Sequence, residues 1–164
     1  MDRDEEFQWL FATEYAAVVR ATYLVLHDHA VSEEITQDAF VQVLRHWSKV
    51  RDYESPGAWV RRVAIRLAIR HARREQRRSV LSRAATTDAS AHEPERGDDE
   101  LLEAIRHLSP QQRAVVVLFY YEDRPMSEIA EIVGCSPATG FVHLHKARRR
   151  LASLLNEEVG TDVG

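Results

Sequence analysis

The stretch "MSEIAEIVGCSPATGFVHLHKARRRL", residues 126–151, carries two runs of helical periodicity on either side of one glycine. Ile129, Ala130, Ile132 and Val133 give a short first helix its buried face. Gly134 permits a turn, and Ser136 with Pro137 restarts a longer helix. This is the layout of a helix-turn-helix, a unit that lays its second helix in the DNA major groove with its N-terminal residues on base edges. Lys146, Arg148, Arg149 and Arg150 follow in the second half of that helix, where cations neutralise phosphates. On this stretch alone a plain helical hairpin with a solvated basic end stays open.

Working outward, a chain of 164 residues with 45% hydrophobic content can bury one ordinary core or two small ones. Cys135 is the only cysteine, which excludes an internal disulfide and a cysteine zinc cluster and suggests a packing role. No apolar run is long enough to span a bilayer, and "MDRDEEF" is acidic where a secretory signal would be basic, so a cytoplasmic location is expected. The net charge of −4 conceals blocks of opposite sign. Residues 1–60 hold eleven acids and five bases, whereas 61–78 hold eight arginines and one acid, Glu75. Residues 79–100 return to six acids and two bases, and 132–156 carry four bases and no acid. Blocks of alternating sign imply different partners for different segments.

The periodicity upstream is helical throughout. Phe7, Leu10, Phe11, Tyr15, Val18, Thr22 and Val25 line a first helix that ends near "LHDHA". Ser32 is the expected N-cap of a second, with Glu33 and Glu34 in its first turn and Ile35, Ala39, Val43 and Trp47 on one face. Residues 48–57 break the pattern. Ser55 and Pro56 then open a third helix expected to reach about Arg77. "SVLSRAATTDASAHEPERG", residues 79–97, lacks periodicity and is read as an acidic flexible linker. Helical patterns resume with "DDELLEAIRHL" and with "SPQQRAVVVLFYYED", capped by Ser109. The expected fold class is therefore all-α, with two small helical domains over 1–78 and 98–156, the tether between them, and a tail from 157 to 164.

In the third helix Trp59, Val63 and Leu67, with Val60, Ala64 and Ala68, form an apolar side, while Arg62, Arg66, Arg70, Arg73 and Arg77 follow at steps of three or four. An arginine stripe beside a loop bearing Tyr53 and Trp47 suits backbone tracking combined with base stacking. A solvated helix face is the competing reading. The histidine pairs His27 with His29 and His143 with His145 sit two apart and do not converge on a helix, so no metal site is expected. Glu33, Glu34, Asp98, Asp99 and Glu100 lie at helix starts, where dipole compensation accounts for them. No catalytic set, glycine-rich loop or cofactor motif is found.

Three stretches in order now resemble one family. "SEEITQDAFVQVLRHW" is similar to the polymerase-binding helix of bacterial RNA polymerase sigma factors of the extracytoplasmic-function group. "SPGAWVRRVAIRLAIRHARR" resembles their promoter-melting and −10-reading helix, and "LSPQQRAVVVLFYYEDRPMSEIAEIVGCSPAT" their −35-reading domain, with a linker between. The likeness spans residues 5–155. It implies a sigma region 2 bundle and a sigma region 4 helix-turn-helix, binding core RNA polymerase and promoter DNA, with an anti-sigma factor as a possible further partner, no catalytic residue and no cofactor.

Residue by residue, the resemblance implies that Glu34, Ile35, Gln37, Asp38, Phe40 and Val41 dock on the polymerase clamp. Ser48, Lys49, Val50, Arg51, Asp52, Tyr53, Glu54 and Ser55 would form the loop that captures a flipped −10 base. Arg62, Arg66, Arg70, Arg73 and Arg74 would face −10 DNA, and Thr139, Phe141, Val142, His143, His145 and Lys146 would face −35 DNA. The chain departs from the family where Arg66 replaces a usual Asn and Arg70 a frequent Asp. It departs again at Gly140-Phe141-Val142-His143, where an aliphatic residue, a base, Ser and Arg are usual. Two readings of Phe141 stay open: contact with thymine methyl groups in the groove, or rotation inward to fill the gap left by Gly140. Two other functions also stay open, a stand-alone helix-turn-helix regulator and a sigma-like decoy with weakened −35 reading.

Overall fold

The computed structural model describes residues 1–83 and 99–161, with side chains over 1–82 and 100–156. Most of the expected acidic linker, residues 84–98, and the end of the tail, 162–164, lie outside the described residues. The described residues form helices and turns alone, as the all-α reading expects.

Helix α1 (Arg3–Leu26) starts at Asp2, whose carboxylate accepts the Asp4 and Glu5 N–H groups while Glu5 reaches back to the Asp2 N–H, closing a capping box. His27, in the left-handed region at φ 57°, ends it. Asp28 is already extended and caps α2 (His29–Arg45) by accepting the Val31 N–H at 3.1 Å. Ser32, the expected cap, therefore lies one turn inside the helix, buried, its hydroxyl donating to the Asp28 carbonyl at 2.6 Å. The correction has a simple cause. A left-handed residue turns the chain so sharply that the next carboxylate captures the helix start before Ser32 is reached.

A four-residue helix, α3 (Trp47–Val50), occupies the first half of the expected loop. The Ser55 hydroxyl accepts the Ala58 N–H at 3.3 Å, and Pro56 occupies the first position of α4 (Pro56–Arg83), as the sequence suggests. Helix α4 passes its expected end at Arg77, because no glycine or proline interrupts 58–83. Leu10, Val18, Ala39, Phe40, Val43, Trp47, Val50, Val60 and Ala64 form a core between α1, α2 and α4. The rings of Phe7, Phe11 and Tyr15 pack around Phe40 with centroids 4.9–6.4 Å away.

The second unit contains α5 (Asp99–Arg106), α6 (Pro110–Val116), a π-helical turn over Val117–Tyr121, α7 (Met126–Val133) and α8 (Pro137–Thr161). Ser109 and Gln112 make a capping box at the start of α6. Gly134, at φ 88°, ends α7 in a conformation that L side chains rarely adopt. Ser136 Oγ accepts the Thr139 N–H at 3.1 Å as α8 begins.

Gly140 is buried against α7, where an added Cβ would stand 2.5 Å from Met126 Sδ. The thioether fills the space beside the glycine, so there is no gap for Phe141 to fill. Phe141 points outward instead, 56% exposed. Substituting Gly140→Val should destabilise the chain by about 1–3 kcal/mol through overpacking, read as a lower urea midpoint at unchanged slope. Unchanged stability would mean that Met126 repacks freely.

The two units are not independent beads. A single apolar cluster runs from Ala21, Val25, Ile65, Ala68 and Ile69 to Ala114, Val115, Leu118, Ile129, Ile132, Val133 and Leu144. Helix α4 is common ground: one side packs on α1 and α2, and its next turns pack on α6 and α7.

Candidate nucleic-acid interface

On α2 the clamp-docking residues suggested by the sequence separate into two groups. Glu34, Gln37, Asp38 and Val41 are exposed and recur at helical spacing, with Leu44, 48% exposed, extending the same face. Ile35 and Phe40 are buried and pack inward. They are corrected from contact residues to residues that hold the face in place. Gln37 donates to the Tyr15 hydroxyl at 3.3 Å, tying that face to α1.

The loop expected over 48–55 divides similarly. Lys49 and Ser48 are exposed on α3, but Val50 is 1% exposed and belongs to the core. Trp47, expected to be available for stacking, is also buried, its indole N–H donating to the Arg3 carbonyl at 3.0 Å. Both are corrected to anchors: the sequence places them beside the loop, and a short helix turns them inward. Arg51 is pinned to Glu6 at 2.8 Å. The accessible rings are Tyr53 and Trp59, edge to face at 5.4 Å, with the Arg62 guanidinium 4.9 Å from the Trp59 centroid. Asp52, Tyr53, Glu54 and Ser55 are exposed at this rim.

Beyond it, Arg70, Arg73, Arg74 and Arg77 are exposed along α4, and Arg62 and Arg66 are half-buried. Arg66, Arg70, Arg73, Arg74 and Arg77, with Gln111 and Val133 of the second unit, line a cleft of about 570 Å³. On α8, Thr139, Phe141, Val142, His145 and Lys146 are exposed, whereas His143 is half-buried. Burial first, then Lys146 and Arg73, hold the His143 pKa below its ordinary value, so this side chain is neutral near pH 7 and adds no cation. Burial likewise pushes the Cys135 thiol up, consistent with a packing role.

Several contacts that sequence reasoning did not anticipate join the units. Arg66 donates from Nε to the Ile132 carbonyl at 3.1 Å and from Nη2 to the Glu131 carbonyl at 2.9 Å, at the end of α7. Arg113 on α6 donates to the Leu108 carbonyl at 3.0 Å and to the Val25 carbonyl at 2.7 Å, at the end of α1. Arg61 lies 2.9 Å from Glu122 and 3.5 Å from Glu14, both it and Glu122 about nine-tenths buried. A signal for Arg113 did exist: it shares a helix face with Val116 and Val117, and an arginine on an apolar face needs a polar partner.

His27 closes the other end of this boundary, in a cleft it shares with His71, Glu75, Glu103, Arg106, His107 and Arg113. Burial, then Arg113 and Arg106, lower its pKa from 6.5 to about 4. Its Nε2 is buried with no hydrogen-bond partner among the described residues. No group of three or more metal-ligating side chains converges among the described residues, and no described helix is long and apolar enough to cross a membrane.

Known proteins carry the same two units. The description "Sigma-70 region 2" matches residues 10–78 and "Sigma-70, region 4" residues 98–151. Among curated relatives, the RNA polymerase sigma-E factor of Streptomyces coelicolor is 28% identical over 162 residues, covering 96% of this chain and 89% of that one. The ECF RNA polymerase sigma factor SigL of Mycobacterium tuberculosis is 28% identical over 155 residues, covering 88% and 86%. The sigma factor RpoE of Bartonella quintana, solved with the anti-sigma factor NepR, superposes with a TM-score of 0.70 at 20% identity, covering 93% of this chain and 98% of that one, and shares the fold. The chain belongs to the sigma-70 family, matched through both its region 2 and its region 4. Within that family it is a sigma factor of the extracytoplasmic-function group, which directs RNA polymerase in transcription initiation.

A pH prediction follows from His27. Because folding lowers its pKa, the unfolded chain holds a proton that the folded chain releases between pH 6.5 and about 4. The contribution is complete above pH 6.5 and is lost as the pH falls through that window. Wild type should therefore lose more stability than His27→Asn on going from about pH 7 to about pH 5, Asn being able to keep the left-handed turn. Equal losses in urea titrations would remove His27 from the boundary's acid sensitivity.

Proposed function

We propose that the exposed face of α2 holds core RNA polymerase through Glu34, Gln37, Asp38, Val41 and Leu44. Its support is the grouping of acids around two exposed apolar side chains, a polar rim about a small anchor. The domain limits we propose are 1–83 for region 2, which includes the full length of α4, and 99–156 for region 4.

The promoter-opening surface in this reading is the rim at Asp52, Tyr53, Glu54 and Ser55 with Trp59, continued by Arg62, Arg66, Arg70, Arg73 and Arg74. Two rings in edge contact beside a run of cations suit a base taken out of the stack and a strand tracked along its phosphates. The reading requires no catalytic residue in this chain, since polymerase makes the RNA while the sigma factor supplies sequence choice and strand opening.

For the −35 element the carrying observation is the outward Phe141. With His143 neutral and half-buried, the cations that reach the groove are Lys146 and those beyond it. Phe141 and Val142 present apolar surface instead, which suits thymine methyl groups, with Thr139 and His145 beside them. An anti-sigma factor, the kind of partner crystallised with the Bartonella relative, is a further candidate for the exposed faces of both units. The decoy and stand-alone readings have no observation of their own in favour.

Run-off transcription of fragmented genomic DNA by core polymerase, with and without the protein, tests this reading. New transcripts sharing a T-containing −35 element are expected, and Phe141→Ala should cost about 1–3 kcal/mol of discrimination at one position of it. Reversing Arg70 and Arg73 to Glu should reduce promoter opening by at least about tenfold with core retention unchanged. Core retention with no new transcript from any fragment would favour a decoy.

A further inference from the structure

The cleft between α4 and the second unit holds more positive charge than its own walls balance. We propose that it is a binding site for a linear triphosphate group, carried by inorganic polyphosphate or by a nucleoside 5′-triphosphate, and that it recognises the phosphate chain alone. Arg66, Arg70, Arg73, Arg74 and Arg77 line it from α4 and Gln111 lines it from α6, around a volume of about 570 Å³. No carboxylate is among the lining side chains. Small-molecule sites run from about 300 to 1,000 Å³, and this cleft falls among them.

The guanidinium groups of Arg70, Arg73, Arg74 and Arg77 form no hydrogen bond or ion pair among the described residues. Arg66 directs Nε and Nη2 to the carbonyls of Ile132 and Glu131, which leaves its Nη1 without a protein partner among them. A triphosphate carries about four negative charges at neutral pH, and each guanidinium offers the planar fork that phosphate oxygens accept. The positive field reaches beyond the cleft. Burial, then Arg62, lowers the Arg66 pKa against the raising effect of Glu131, and Lys146 and Arg73 add to burial in lowering that of His143. Arginine stays charged all the same, so the cationic potential persists at pH 7.

The lining also indicates what is not read. It holds no aromatic ring on which a base could stack, and its apolar side chains, Ile69 and Val133, are buried. Gln111, half-buried, adds an amide donor for a phosphate oxygen. Apolar neighbours keep water from one side of the cations and strengthen their pull on a charged ligand. Arg66, Arg70, Arg73 and Arg74 also belong to the promoter surface proposed above, so an occupied cleft would withhold them from DNA. That consequence rests on the proposed function, whereas the site does not.

Isothermal titration of the full chain with sodium triphosphate, at about 150 mM salt and without divalent metal, tests the site. Wild type should bind about one triphosphate per chain. Gln111→Glu places a carboxylate in the lining and Arg77→Gln removes a guanidinium, neither at a residue of the proposed promoter surface. Each should weaken binding by about tenfold or more. Arg20→Gln, at an exposed position of α1 outside the cleft, changes the net charge equally and should bind as wild type does. Equal affinity in all four proteins, or no binding by folded wild type, would overturn the inference. Should Gln111→Glu lose helix content, Arg77→Gln against Arg20→Gln carries the same comparison. Inorganic triphosphate, ATP and UTP should bind within about threefold of one another, and a spread of about tenfold or more would overturn recognition of the chain alone. Polymerase and DNA are absent from these titrations, so run-off transcription judges the sigma-factor reading separately.

Discussion

Two arginines cross between the halves of this protein in opposite directions, and each ends on the C-terminus of a helix in the other half. Arg66 reaches from region 2 to the carbonyls of Glu131 and Ile132; Arg113 reaches from region 4 to the carbonyl of Val25. Neither makes an ion pair with a carboxylate among the described residues. A helix C-terminus supplies unsatisfied carbonyls and a partial negative charge, enough to satisfy a planar guanidinium that lies partly or wholly out of water. The relative position of the two units depends on these two contacts and the apolar cluster between them.

The arrangement explains how a chain of net charge −4 can carry a nucleic-acid surface. Positive charge is concentrated on α4 and α8, and acids of α7 and of the segment before it stand against the former. The charge of Arg61 and Arg62 is thereby balanced within the molecule, while Arg70, Arg73, Arg74 and Arg77 stay exposed along α4. Arg66 is one of the positions where this chain departs from the family pattern it otherwise resembles. The departure both adds a cation to α4 and supplies the two donors that reach the end of α7.

Much of the fold was legible in sequence because its signals are local. Helix periodicity, the Ser109 and Ser55 caps, Pro56 and Pro137 at helix starts, and the Gly134 turn are all set within a few residues. The errors arose where a local signal competed with another or with packing. Ser32 is a good cap displaced by Asp28, since the left-handed His27 fixes the entry first. Ile35, Phe40 and Val50 stand in motifs that imply contact and Trp47 stands beside the loop, but the α1–α2–α4 core takes in Phe40, Trp47 and Val50, and the cluster between the units takes in Ile35. Phe141 was undecided because helical spacing allows both directions; Met126, fourteen residues earlier, decides it by filling the space at Gly140. The contacts between the units have no local signature, for the partners of Arg66 and Arg113 lie 65 to 88 residues away.

The two units pack on each other through Arg66, Arg113 and one apolar cluster. Energy transfer between dyes at Thr13→Cys on α1 and Arg149→Cys on α8, in a Cys135→Ser background, measures this packing directly. One narrow high-transfer population is expected for the free protein. A broad low-transfer distribution would contradict the packing of the two units.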